Sequence, residues 1–391
     1  MPELDFKGTI PGSKSVFNRA LIVQSYFSDF NIQGDSECDD VRFMRAGLKK
    51  ISSHSQIECG EGGTTFRFMS LRFSREKGEH HLHAEARLLQ RPQQGLLDLI
   101  KQLGVDAHIQ GQELVLKGEG WKRPTHPLQV DISESSQYAS ALILNAWKLP
   151  FDLPFDLVGA KVSESYFLLT MEMLKNFGME FVKTEKGYLI PANQTLKVES
   201  FRVESDLSSA FTMASAGALN GKVVLENFPF NSAQPDLVFL EIFKKMNVPV
   251  IRDGTSLIIS HAPELKSAQV NLAESPDLFP VLAVLCSWAQ GESKLFGAPH
   301  LVKKESNRIN KVSDLFRLLN IDHTVLPDGM IIQGNPKQSL KNGVIFNPDK
   351  DHRMVMAATL MKLKGHDIKI EEPEVINKSF PEFWQMIGIK P

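Results

Sequence analysis

An α/β (α+β) fold built from two similar halves is what this sequence predicts. Six times a polar or glycine cluster is followed by an apolar run rich in small residues. Short alternating segments lie between those runs and read as strands. At 391 residues the chain is also too long for one ordinary core.

The six runs are "SKSVFNRALIVQSYF" from Ser13, "GGTTFRFMSLRF" from Gly62, "SSQYASALILNAW" from Ser135, "DLSSAFTMASAGAL" from Asp206, "PDLFPVLAVLCSWA" from Pro276 and "DHRMVMAATLMKL" from Asp351. Residues that cap helix N-termini open them, so each predicts a helix of about three turns. The segments "ELVLKG", "GYLIPA", "KVVLENF", "SLIISH" and "GMIIQG" alternate and close on turn residues, which predicts strands. Amphipathic helices are expected at "GLLDLIKQLG", "YFLLTMEMLKNFGM", "LVFLEIFKKMNV" and "KVSDLFRLLNI". Strand and helix therefore alternate. A boundary near residues 200–206 splits the six capped helices three and three.

Composition removes several classes of function. The net charge of -2 offers no global basic field, so no nucleic-acid partner is expected. No apolar run approaches the roughly 20 residues a spanning helix needs, so no membrane partner is expected either. Cys38, Cys59 and Cys286 are few and odd in number, which argues against a disulfide framework. With no basic-then-apolar leader at "MPELDFKGTI", a cytoplasmic location is expected.

An anion site must then come from local cations and helix ends, whose free N–H groups and positive dipole suit a polyanion without any metal. "GTIPGSKS", residues 8–15, misses the nucleotide P-loop by one residue, because Ser13 stands where the second glycine belongs. It reads instead as a phosphate-facing helix start in which Ser15 caps. Lys14, Arg19, Arg91, Lys304, Arg308, Arg353 and Lys378 stand beside such caps or in loops. Asp277 and Glu305 are the acids placed to move protons. The cluster His80, His81 and His83 shows no Cys or carboxylate at ligand spacing, so a solvated strand or turn is expected and no metal.

Taken in order, these motifs resemble the EPSP synthase family of enolpyruvyl transferases nearly end to end. They are "PGSKSVFNRA" at 11–20, "DDVR" at 39–42, "GGTTFR" at 62–67, Arg91-Pro92 and "SSQ" at 135–137. Ser163 with Tyr166, Glu204 to Ala210, Pro276-Asp277, "KKESNR" at 303–308, "DHRM" at 351–354 and "KSFP" at 378–381 complete the set. The resemblance implies two domains, each of three βαβαββ-like units in an inside-out α/β barrel. They would be joined by a two-strand hinge with the active site in the interdomain cleft. Residues 1–12 plus 205–391 would form one domain and residues 13–204 the other. Mutually repelling cations in the empty cleft would favour an open form.

The implied reaction joins phosphoenolpyruvate to the 5-hydroxyl of shikimate 3-phosphate through a tetrahedral intermediate, with no cofactor. The implied catalytic residues are Lys14, Asp277, Glu305 and Lys378. Asp277 would be the base for the hydroxyl, and Glu305, with Lys14 or Lys378, the source of the proton to carbon. Shikimate 3-phosphate would meet Lys14, Ser15, Arg19, Ser135, Ser136, Gln137, Ser163, Tyr166, Asp277, His300 and Lys304. Phosphoenolpyruvate would meet Lys14, Gly63, Arg91, Gln137, Glu305, Arg308, Arg353 and Lys378. The herbicide glyphosate would share the latter place beside Gly63. A monomer is expected.

Departures from the family pattern are Phe17, Glu61, Ser205, Val302 and Asn307, none of which carries an assigned chemical role. Two alternatives remain at this stage. One is an enolpyruvyl transferase acting on UDP-N-acetylglucosamine, which would carry a reactive Cys before the Arg-Pro pair where this chain reads "ARLLQRP". The other is a non-catalytic paralogue that binds an anionic metabolite.

Overall fold

The computed structural model describes residues 3–391 apart from 52, 54, 55 and 160–162. It divides into two compact units, Gly12–Val203 and Met1–Pro11 with Glu204–Pro391.

The unit Gly12–Val203 follows the short strand β1 (Leu4–Gly8) in the chain and opens with α1 (Lys14–Gln24), β2 (Asn31–Gln33) and α2 (Asp39–Leu48). A first repeat runs β3 (Ile57–Glu58), α3 (Gly63–Phe73), β4 (Lys77–His83), α4 (Ala86–Gln90), α5 (Gln94–Gln102), β5 (Asp106–Gln110) and β6 (Glu113–Glu119). A second runs β7 (Leu128–Asp131), α6 (Gln137–Leu144), β8 (Leu153–Val158), α7 (Glu164–Asn176), β9 (Val182–Lys183) and β10 (Gly187–Ile190), before β11 (Ser200–Arg202).

The other unit takes β1 and then α8 (Leu207–Asn220), β12 (Gly221–Leu225), α9 (Phe239–Lys245), β13 (Val250–Asp253) and β14 (Ser256–Ser260). Next come β15 (Gln269–Asn271), α10 (Phe279–Ser287), β16 (Gly291–Phe296), α11 (Arg308–Leu319), β17 (His323–Leu326) and β18 (Gly329–Gly334). β19 (Val344–Phe346), α12 (His352–Leu363), β20 (Ile368–Ile370) and α13 (Phe383–Ile387) complete it.

One sheet pattern recurs four times. The orders are β3-β4-β6-β5, β7-β8-β10-β9, β1-β12-β14-β13 and β15-β16-β18-β17. In each the first two strands are parallel and the last two form an antiparallel hairpin. A parallel pair requires a crossover, which a helix supplies, whereas a hairpin closes through a short turn. Gly111 at φ +62 and Gly254 at φ +57 provide the left-handed residue that two of these turns need. The third member of each unit is a two-stranded parallel pair, β2 with β11 and β19 with β20.

The six small-residue runs are α1, α3 and α6 in one unit and α8, α10 and α12 in the other. Each trio packs its members on one another. All nine residues of α10 and thirteen of the fourteen in α8 are buried, so these helices lack the polar stripe of a surface helix. Small side chains let three such helices fill the middle of a unit while the sheets cover them. Each unit accordingly has its own apolar core, one holding Phe66, Phe68, Leu142 and Phe155, the other Phe211, Leu282, Phe316 and Met354.

Two local expectations change. Helix α1 begins at Lys14, and Ser13, not Ser15, is its N-cap residue. Ser15 lies inside the first turn, where its carbonyl accepts Nη1 of Arg19 at 2.7 Å. The three histidines lie on β4, and only His81 and His83 face outward, because a strand alternates its faces. His80 is buried against Phe73. Carboxylates nevertheless flank the rings: Glu113 and Glu58 reach His81 and His83 from neighbouring strands, and Glu79, two residues before His81 on β4 itself, meets His81 as well. They hydrogen-bond the rings, and no group fit to hold a metal occurs among the described residues.

Candidate active site

In the unit Gly12–Val203 the expected site residues gather at helix starts. The N-cap residues of α1, α3 and α6, Ser13, Gly62 and Ser136, give no side-chain cap, although Oγ of Ser135 accepts the Gln137 N–H at 3.3 Å. At the start of α1, Nζ of Lys14 donates to Oδ2 of Asp40 at 2.9 Å. At the start of α3, Gly63 faces a polar group of three residues. A Cβ there would lie 3.3 Å from Oε1 of Gln137, 3.4 Å from Nη1 of Arg67 and 3.5 Å from Nη1 of Arg91. Arg67 Nη1 donates to Oε1 of Gln137 at 2.7 Å and to Oγ of Ser135 at 3.4 Å, while Nη2 donates to the Pro92 carbonyl at 3.2 Å. Gly63, Arg91, Ser135 and Gln137 are thereby gathered, with Ser136 buried as the residue before α6.

Arg19 is held differently. Its guanidinium is buried and donates to Oγ1 of Thr170 at 2.7 Å and to the carbonyls of Ser15 and Tyr166. Burial without a carboxylate among these partners lowers its pKa to about 10. Arg19 thus ties the first turn of α1 to α7, and the hydroxyl-bearing residues Ser15 and Tyr166 with it. Ser163, the residue before α7, has left-handed φ +50 and ψ +45, costly for a residue with a Cβ.

In the second unit one carboxylate lies between arginines. Asp277 accepts Nη1 of Arg308 on Oδ1 at 2.6 Å and Nη2 of Arg353 on Oδ2 at 2.8 Å, with Lys304 at 3.9 Å. Arg308 also donates Nη2 to Glu305 at 2.9 Å and Nε to Asp351 at 2.8 Å. Lys378 stands 3.7 Å from Glu305. Burial pushes the Asp277 carboxyl up, but Arg353, Lys304 and Arg308 outweigh it and hold the group well below the ordinary carboxylate range. For Arg308 burial lowers the pKa, and Asp351, Glu305 and Asp277 more than restore it. His300 is pushed down to about 4, by burial first and then by Lys304 and Arg308. It is therefore neutral at pH 7.

Four cations thus share three carboxylates in this cluster, so their mutual repulsion is largely cancelled within the unit. Three of the five departures have a local setting. Asn307 caps α11 by accepting the Asn310 N–H, as an Asp would. Phe17 is buried under the Arg45 guanidinium, and Val302 is exposed.

Several participants carried no assignment in the sequence reading. Arg67 orders Gln137, Asp40 holds Lys14, and Asp351 holds Arg308 while capping α12 through the Arg353 N–H. Ser208 accepts Nη2 of Arg353 at 3.1 Å, and Ser306 donates to Asp351 at 3.0 Å. All five lie inside the recognised motifs, which was the available signal.

The family model described as EPSP synthase (3-phosphoshikimate 1-carboxyvinyltransferase) matches residues 34–387. A 3-phosphoshikimate 1-carboxyvinyltransferase from Methanocaldococcus jannaschii is 32% identical over 90% of this chain and 82% of its own length. One from Pyrococcus abyssi is 32% identical over 84% and 77%. Among solved structures, EPSP synthase from Acinetobacter baumannii superposes with a TM-score of 0.77 at 23% identity, covering 99% of this chain and 96% of its own, which speaks for the fold. The chain belongs to the EPSP synthase family.

Proposed function

We propose that the chain transfers the enolpyruvyl group of phosphoenolpyruvate to the 5-hydroxyl of shikimate 3-phosphate, releasing phosphate. The carrying observation is the second-unit cluster, in which two arginines and two lysines surround two carboxylates poised for proton transfer. Protonation of the methylene carbon makes the adjacent carbon electrophilic, and the hydroxyl adds to it while losing its proton. The tetrahedral adduct then loses a proton from the new methyl group and expels phosphate, restoring the double bond.

In this reading Asp277 removes the hydroxyl proton. Glu305, with Lys14 or Lys378, delivers and recovers the proton at carbon. Arg91, Arg308, Arg353 and Lys378 hold phosphoenolpyruvate, because guanidinium forks match carboxylate and phosphate bidentately. Gly63 gives that ligand room, and Gln137 contacts both substrates. Ser15, Arg19, Ser135, Ser136, Ser163, Tyr166, His300 and Lys304 serve shikimate 3-phosphate, with Arg19 acting through the groups it ties together. When the arginines turn to substrate anions, Asp277 loses charged donors and becomes a stronger base.

The three cysteines weigh against the sugar-nucleotide alternative. Cys38, Cys59 and Cys286 are all fully buried, and burial raises every thiol, that of Cys38 to about 11 and that of Cys286 to about 12. None is a reactive thiolate. We take the protein to be a cytoplasmic monomer, in keeping with a complete core in each unit. Among the described residues no helix is long and apolar enough to cross a membrane.

The deciding assay follows phosphate release with shikimate 3-phosphate varied. Saturable release sustains the proposal. Binding of both ligands without release moves the chain to the non-catalytic reading.

A further inference from the structure

The pair "DD" at 39–40 places two adjacent acids at the start of α2 in different surroundings. Asp39 is partly exposed and sits 3.6 Å from Arg42. Asp40 is 2% exposed and receives Nζ of Lys14 at 2.9 Å. A carboxylate this far from solvent is costly unless it is paired and held in place.

Three contacts hold it. The Asp40 carbonyl accepts Oγ1 of Thr65 at 2.9 Å. Asn18, on the helix that begins with Lys14, donates to Oγ1 of Thr64 at 3.3 Å and of Thr65 at 3.2 Å. The first turns of α1, α2 and α3 are thereby joined around one ion pair.

The third contact is a residue without a side chain. A Cβ on Gly62 would lie 2.5 Å from Oδ1 and 2.9 Å from Cγ of Asp40. The φ of Gly62 is -77, which any residue can adopt, so the backbone does not demand glycine there. Space for the Asp40 carboxylate does, together with space for Oγ1 of Thr65, which would lie 2.8 Å from that Cβ. The glycine pair thus divides its work: Gly62 makes room for Asp40, and Gly63 leaves room toward Gln137 and Arg91.

We propose that Asp40 is a positioning residue for Lys14, fixing the amine beside the α3 start and favouring its charged form before the reaction begins. The inference rests on the reading of Lys14 as a catalytic group. Loss of the negative charge lowers the amine pKa by about one unit or more. Loss of orientation lowers turnover by about a hundredfold.

The test compares wild type, Asp40→Asn, Gly62→Ala and the control Asp39→Asn. For Asp40→Asn, kcat is expected to fall about a hundredfold and the basic limb of its pH profile to move down by about one unit, with little change in KM. Asp39→Asn keeps the wild-type profile. Should Asp40→Asn fail to fold, Gly62→Ala, which displaces the same carboxylate, is expected to lower kcat comparably. An independent readout is the 13C NMR titration of reductively methylated lysines, with the Lys14 signal assigned by its loss in Lys14→Arg. Titration of that signal at the same pH in wild type and the displaced variants overturns the inference. So does a fall in kcat with an unmoved pH profile. Wild type that releases no phosphate defeats the functional reading alone, and the NMR comparison then decides the role of Asp40.

Discussion

Nε of Arg308 donates to Oδ2 of Asp351 across 2.8 Å, and both side chains are essentially withdrawn from solvent. The bond leaves Nη1 and Nη2 of the same guanidinium aimed at Asp277 and Glu305. Removing one partner of a buried pair strands the other, which typically costs about 3–5 kcal/mol. Asp351→Asn is expected to lose stability of that order in urea unfolding and to raise KM for phosphoenolpyruvate. Unchanged stability would mean that Arg308 is held by its other partners alone.

Gly63→Ala should act on ligands more than on the fold. The atoms nearest the added methyl are polar side-chain ends of Gln137, Arg67 and Arg91 at 3.3–3.5 Å. It intrudes on whatever occupies the space between them, and on the longer ligand first. Steady-state kinetics should show the glyphosate inhibition constant rising more than KM for phosphoenolpyruvate. Equal changes in both would refute that ordering.

His300 predicts a pH effect of definite sign. Its folded pKa, about 4, lies below its unfolded value near 6.5. The unfolded chain therefore takes up the proton first as pH falls. The contribution to stability is complete above about pH 6.5 and is lost progressively toward pH 4. His300→Asn should flatten the stability curve over that window, measured by urea midpoints at several pH values. A curve as steep as that of wild type would assign the dependence to other groups.

Ser163→Gly should separate stability from binding. Relief of the left-handed backbone is expected to add about 1 kcal/mol. Loss of the hydroxyl should raise KM for shikimate 3-phosphate. If the variant is less stable than wild type, the conformation at Ser163 is not a source of strain.

The six central helices were legible because small apolar residues after polar or glycine clusters form a pattern that repeats six times along the chain. The hairpin strands were legible because alternation and glycine turns are local. Helix-start detail was not: Ser13 and Ser15 are the same residue type two positions apart, and only the backbone path decides which one precedes the first turn. Buried carboxylates were equally opaque. In sequence Asp40 looks like Asp39, and Asp351 looks like an ordinary cap. Their roles depend on Lys14 lying 26 positions away and on Arg308 lying 43 away. Glu113 beside His81 and Glu58 beside His83 were opaque for the same reason, since sheet register brings them in from β6 and β3, whereas Glu79 stood two residues before His81 in plain view.

The parallel pairing of β1 with β12 has a consequence for how the protein is made. Strand Leu4–Gly8 leaves the ribosome long before its partner, Gly221–Leu225. At about 5–20 residues per second, roughly 10–40 s separate the two. Throughout that interval every residue of Gly12–Val203 becomes available, so one unit can finish folding while the other has only its opening strand. That strand must stay unpaired and unaggregated until its partner emerges. Its sequence, "LDFKG", alternates charge with apolar residues, a composition that discourages premature pairing of an exposed edge.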